Sequence, residues 1–252
     1  MSQETLTING KRYYPVESES EGNIYYLPSV TTILGATGDK SGLDAWKEKV
    51  GHDKAAEISK FSANRGTLMH YHLEMFLTST KESKKEKLQE ALKLTHEYSK
   101  ENGFTSEELA NGRKLFFNFY MNGDLDRVKR VIMHEARLFS LRGGGYAGRV
   151  DDIFEDLEDL MVVADYKSSK KPKKDEWIED YKLQISAYYV AYWDMFGVVP
   201  HRAEIWISNE MDDIPQKFIL HKEDIKLYYS KFIDRVKQYH EMYPLPPEYI
   251  KK

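Results

Sequence analysis

The chain has no cysteine. Disulfides, thiolate nucleophiles, zinc ribbons and cysteine-held iron–sulfur clusters are therefore excluded. No apolar run approaches about 18 residues, so no membrane-spanning helix is expected. The opening MSQETLTING is polar and lacks the apolar core of a signal peptide. These absences predict a protein of a reducing cytoplasm. A positive charge balance is missing too. Net charge is −4 with histidine neutral, whereas a general nucleic-acid binder is basic. Any polyanion site must then be a local patch. One candidate exists: Lys167, Lys170, Lys171, Lys173 and Lys174 fall within eight residues. The alternative for that run is a solvated loop.

What is present is ordinary for a globular protein. The 252 residues are 41% hydrophobic and 31% charged, enough for a substantial core in one large domain. TLTI, Asn9-Gly10 and KRYYPV read as a hairpin. NIYYLP is a further extended piece after a polar ESESEG turn. PSVTTILGATG reads as a short helix begun by Ser29 and closed by Gly35 or Gly38. From Leu43 to about Met121, four segments repeat apolar residues at helical spacing, and Thr105-x-x-Glu108 marks a helix start. KESKKEKLQE (81–90) reads as a solvated helix face.

At Val131 the period changes. VIMHEARLFS, GYAGRVDDIFED and LMVVADYKSS read as three strands of a meander. A long helix over 177–197 follows, then strands at 203–208 and 217–220, then a last helix ended by PLPP. The expectation is one domain over 1–252. It divides into N-terminal strands and a short helix (1–42), a helical region (43–125), a mixed α/β core (131–220), and a C-terminal helix and tail (222–252). No repeat or linker interrupts it.

The meander carries the chemistry. Asp165 and Lys167 are two apart in a strand, so both point to one face. Glu135 lies on the first strand and Asp151 on the second. Adjacent strands lie about 4.7–4.9 Å apart, so Asp151 and Asp165 can share a hard cation such as Mg²⁺. A lysine beside that cation can orient water or neutralise a phosphoryl transition state. Gln184 and Tyr188, four apart, share a helix face. Arg65-Gly66-x3-His70 lies in a helix where His70 could add a ligand. Each piece has a plainer reading. Asp165–Lys167 could be a surface ion pair, Glu135 a surface acid and His70 structural. The stripe Tyr188, Tyr189, Tyr192, Trp193 reads as core. Asp152 follows Asp151, and one of the two must face away. Arg149 reads as the partner of a neighbouring acid.

The ordered set is more telling than its parts. Gly66-x3-His70, Glu135, Gly148-x2-Asp151, Asp165-x-Lys167 and Gln184-x3-Tyr188 resemble the five motifs of RecB-type nucleases in the PD-(D/E)xK superfamily. LPSVTTIL (27–34), Trp46 and RGTLMHYHLE (65–74) look like the mitochondrial genome maintenance exonuclease branch and its phage relatives. The resemblance implies a restriction-endonuclease-like αβββαβ core and Mg²⁺- or Mn²⁺-dependent hydrolysis of DNA. It implies that Asp151, Asp165 and the Tyr166 carbonyl ligate metal, with His70 and Glu135 as further ligands or holders of water. Lys167 would activate the attacking water, and Gln184 and Tyr188 would position Lys167 or touch DNA. Gly148 fixes the register and selects Asp151 over Asp152. Backbone contacts are expected from Arg65, Lys170, Lys171, Lys173 and Lys174.

The expectation is thus a monomeric exonuclease acting on DNA ends, single-stranded DNA foremost, in replication, recombination or repair. With no mitochondrial presequence ahead of the domain, a phage or bacterial source is expected. Three alternatives stand: a flap or structure-specific endonuclease on the same core, a silent DNA-end-binding module, and an unrelated α/β protein with accidental motifs.

Overall fold

The computed structural model describes residues 5–17 and 24–244. The ESESEG segment and the PLPP tail, expected as a turn and a helix stop, lie mostly outside these residues. Strands β1 (Leu6–Ile8) and β2 (Lys11–Glu17) form the expected hairpin. Asn9 and Gly10 both have positive φ, 50° and 74°, as a two-residue turn matched to strand twist requires. β3 (Ile24–Pro28) pairs antiparallel to β2. Helix α1 (Val30–Thr37) begins where the Ser29 hydroxyl accepts from the Thr32 N–H at 2.9 Å. It closes at Gly38; Gly35 lies inside it.

Helices α2 (Ser41–Val50), α3 (His52–Leu77), α4 (Lys84–Glu101) and α5 (Ser106–Met121) follow. The Thr105–Glu108 capping box opens α5, and a matching Ser83–Glu86 box opens α4.

The large sheet contains β4 (Val128–Ser140), β5 (Tyr146–Asp156), β6 (Met161–Ser169), β7 (Arg202–Asn209) and β8 (Gln216–Leu220), in that spatial order. Only β6 and β7 run parallel, joined by the crossover helix α6 (Glu179–Phe196). Helix α7 (Lys222–Met242) ends the described chain. The sheet is covered on both faces. Val150, Ile153, Val163, Ile205 and Ile207 pack with α6 and α7. Phe154, Val162, Ala164, Tyr166 and Trp206 pack with α3 and α5 through Met69, Leu73, Phe116 and Phe119. Burying each of the valine, isoleucine, leucine, methionine and phenylalanine side chains among them contributes about 1.5–3 kcal/mol. This double cover explains why the central strands read as continuous apolar runs.

The aromatic stripe on α6 is core only in part. Tyr188, Tyr189 and Tyr192 are buried, but Trp193 is 41% exposed. The last turn of α6 leaves the sheet, and the Arg142 guanidinium lies 5.5 Å from the Trp193 ring instead.

Candidate active site

The register of β5 on β6 pairs Asp152 with Ala164 and Ile153 with Val163. Continued by one residue, it sets Asp151 beside Asp165. Alternation then gives the two adjacent aspartates opposite faces. The Asp151 carboxylate accepts from the Tyr166 N–H at 2.6 Å. The Asp165 carboxylate holds the Lys167 ammonium at 2.5 Å. Lys167 also lies 5.3 Å from the Tyr181 ring centroid, on the first turn of α6.

His70 enters from α3, its Nδ1 3.7 Å from Asp151. Gly66, one turn earlier, makes this approach possible. A Cβ there would lie 3.1 Å from the Ser168 hydroxyl at the end of β6. Glu135 projects from β4, and its backbone φ is 46°. For a residue with a Cβ this is a strained conformation of about 1–3 kcal/mol, of the kind that gathers at functional sites. Arg149 donates to the Glu135 carboxylate at 3.1 Å. His70, Glu135 and Asp151 each present a ligand atom, all within 4.8 Å of one another. Two carboxylates and an imidazole suit a hard divalent cation of the Mg²⁺ or Mn²⁺ kind. Asp165 lies next to this trio but outside it, engaged with Lys167. The Tyr166 N–H donates to the Asp151 carboxylate of this trio.

The electrostatics are those of a desolvated charge cluster. Burial pushes Asp151 up to about 7, against the opposing pull of Lys167. Burial pushes Asp165 up to about 6, again opposed by Lys167. For Lys167, burial works against the charge, but Asp165 and Asp151 outweigh it and the ammonium is held above its ordinary range. Burial and then the Lys167 charge lower His70, which leaves a neutral imidazole with a free lone pair.

A cavity of about 550 Å³ opens on this cluster. Gly66, His70, Tyr71, Glu135, Arg149 and Lys167 are among its lining residues. Three ligand atoms able to hold a metal, a half-buried lysine and an open cavity are thus in one place. A family model described as the PD-(D/E)XK nuclease superfamily matches residues 45–242.

The chain belongs to the PD-(D/E)XK nuclease superfamily.

Two solved structures are also similar. SSO0001 shares 15% identity at TM-score 0.37, covering 71% of this chain and 86% of its own. A protein from Eubacterium rectale, described as a candidate exonuclease, shares 12% at TM-score 0.40, covering 69% and 68%. The assignment rests on the family match and not on these. No curated protein matches the chain.

The remaining residues expected at this site fall into different places. Gln184 and Tyr188 are both buried and bonded to each other, Gln184 Nε2 donating to the Tyr188 oxygen at 3.2 Å. Tyr188 packs on Gly148, where a Cβ would fall 2.5 Å from Tyr188 Cε1. The motif glycine therefore makes room for the motif tyrosine. Lys170, Lys171 and Lys174 are exposed on the loop after β6, and Lys173 is half-buried. Arg65 is not a solvent-facing contact. It is 4% exposed and ion-paired with Glu210, so its charge is neutralised inside the protein.

Two features escaped the sequence reading. Tyr181 is one; an aromatic one turn before Gln184 was the available signal. The second lies behind Asp151. Asp152 is fully buried and receives the His134 Nδ1 at 2.7 Å, while His134 Nε2 faces Glu74 at 3.7 Å. Burial opposes the imidazolium, but Asp152 and Glu74 overcome it and raise His134 to about 10. Asp152 faces away from the trio, yet into a charged pair and not into solvent.

Proposed function

We propose that this superfamily member is a metal-dependent DNA exonuclease, one nuclease domain hydrolysing phosphodiester bonds from the ends of single-stranded DNA. The observation that carries the reading is the close set of His70, Glu135 and Asp151 beside the Asp165–Lys167 pair. His70, Glu135 and Asp151 would hold Mg²⁺ or Mn²⁺, with Asp165 adjoining. The bound cation would supply Lewis-acid polarisation of a phosphoryl oxygen.

The protein's own groups do the rest. The lifted pKa of Lys167 keeps it an ammonium at neutral pH. It therefore acts as a hydrogen-bond donor, orienting the attacking water and countering charge that develops on the phosphoryl oxygens. Asp165 and the Tyr181 ring fix the ammonium in place. Arg149, at the cavity wall, is placed to trade its bond to Glu135 for a phosphate oxygen. A strand without a complementary partner fits backbone recognition by the 170–174 lysines. The motif set at 27–74 favours the branch of the mitochondrial genome maintenance exonucleases and their phage relatives, with roles in replication, recombination or repair.

The test uses end-labelled linear single-stranded DNA and a circular control, each with Mg²⁺, Mn²⁺ or EDTA, beside Lys167→Ala. The expected outcome is loss of the linear strand only, abolished by EDTA and by the variant. Cutting of the circle would replace this reading with an endonuclease. Binding without cleavage under every condition would leave a DNA-end-binding module.

A further inference from the structure

The loop between β6 and α6 exposes a tryptophan that the core does not use. Trp177 is 48% exposed. Its ring has the ammonium of Lys174 at 5.1 Å and that of Lys171 at 5.5 Å. Among the described residues, no carboxylate lies in ion-pair reach of Lys170, Lys171 or Lys173, while Lys174 meets only the exposed Glu176 at 3.8 Å.

The loop is braced. Gln216 on β8 accepts from the Lys173 N–H at 2.7 Å and donates to the Lys173 carbonyl at 2.9 Å. The Ser169 hydroxyl donates to the Lys171 carbonyl at 2.7 Å. Lys182 donates to the exposed Asp175 at 2.7 Å, which partly offsets that acid's charge beside the loop. The loop is also continuous with the cleavage site. It starts at the end of the strand carrying Lys167, and it leads into Tyr181, whose ring meets the Lys167 ammonium.

An exposed aromatic ring on a braced loop, flanked by Lys171 with no carboxylate partner and Lys174 with only an exposed one, matches one kind of ligand: a strand with phosphates for the lysines and an unpaired base for the ring. The ammonium–ring contacts at an exposed site are weak and exchange readily for a base. The geometry points to Trp177 as a base-stacking residue that grips single-stranded DNA next to the scissile phosphate. This rests on the nuclease reading for its substrate. It adds a contact to bases where only backbone contacts were expected. A duplex keeps its bases stacked on one another, so this contact favours a single strand.

The test is binding of a labelled short oligothymidylate in EDTA, where no metal-dependent cleavage occurs, compared with an abasic strand of equal length. W177L is expected to weaken oligothymidylate binding about tenfold and leave abasic binding unchanged; W177F keeps most of the affinity. W193L is the control. Trp193 is exposed and has its own cation, Arg142, but sits near the far end of α6, a helix about 27 Å long. Its affinity stays at the wild-type value. Unchanged binding by W177L overturns the proposal, as does equal weakening on both strands, or a wild-type protein that does not prefer the strand with bases. The nuclease reading fails separately: it fails if wild-type protein with Mg²⁺ or Mn²⁺ cleaves nothing, whatever W177L does to binding.

Discussion

The Asp151 carboxylate is tied to the neighbouring strand by the Tyr166 N–H, 2.6 Å away. This bond adds a side-chain link, beyond the strand ladder, between Asp151 and the strand of Asp165 and Lys167. It supports the charged form of Asp151, but burial wins, and the group sits at about 7. The folded protein then holds a proton between pH 4 and 7 that the unfolded chain has released. Stability must fall as pH rises through that window. Asp165, also raised, acts in the same sense. The melting temperature of the metal-free protein is therefore expected to drop from pH 5 to pH 7.5. Asp151→Asn, with no proton to lose, flattens the drop and melts higher at pH 7.5. It also loses at least about 100-fold in activity. Added Mg²⁺ or Mn²⁺ raises the wild-type melting temperature most at the alkaline end, since ligation needs the ionised carboxylate. Parallel melting curves for the two proteins would show that Asp151 is not the strained group.

His134 titrates in a different window and with a different origin. Its imidazolium is paired with the fully buried Asp152, and its pKa is raised to about 10. A raised histidine contributes stability that is complete below about pH 6.5 and fades as pH climbs toward 10. His134→Ala leaves a buried carboxylate unpaired. The expected loss is about 3 kcal/mol near pH 6, or roughly 6–12 °C in Tm. The gap should narrow by pH 9.5, which thermal melts at the two pH values would measure. A constant gap would mean that His134 acts through packing and not through charge.

Much of this was legible from the residues. The change of period at Val131 and the i, i+2 spacing of Asp165 and Lys167 came from local rules that the sheet keeps. Alternation also required one of Asp151 and Asp152 to face away, and the Gly148 motif register, through the family resemblance, picked out Asp152; its partner did not follow from either. His134 sits eighteen positions away, and only the β4–β5 register brings the two together. Arg65 shows the opposite failure. An arginine beside a glycine on a helix looks like a phosphate contact, but Glu210 lies 145 residues on and no local pattern reveals the pair. The exposed Trp193 was lost for a related reason. Helical spacing places it on the apolar face, and only the sheet's edge determines where that face stops being covered.

The four loop lysines and Arg65 should part company in salt titrations. A lysine that neutralises a phosphate of a single strand contributes about 0.7 to the slope of log Kd against log salt. Replacing Lys170, Lys171, Lys173 and Lys174 together by alanine is expected to reduce the slope by about 2–3 and raise KM, with kcat preserved. Arg65→Ala should leave the slope alone and lower the melting temperature, because it strands Glu210 beside the core. A slope change with Arg65→Ala and none with the lysines would reverse these roles.

Gly148 and Tyr188 offer the sharpest packing test. A methyl group at 148 falls 2.5 Å from Tyr188 Cε1, closer than carbon atoms approach. Both residues are buried, Gly148 lies three positions before Asp151, and the Tyr188 hydroxyl is already held by Gln184. Gly148→Ala must therefore push the ring or the strand. The expected effect is about 1–3 kcal/mol of destabilisation. Activity should fall as well, since any strand shift carries Asp151 away from His70 and Glu135. Tyr188→Leu alone removes the ring and opens space, with its own loss of stability. If the clash is the mechanism, the double variant is more stable than the sum of the two losses, with a coupling of at least about 1 kcal/mol. Denaturant unfolding of the four proteins measures it. Simple additivity would mean that Gly148 serves its strand's backbone and not the tyrosine above it.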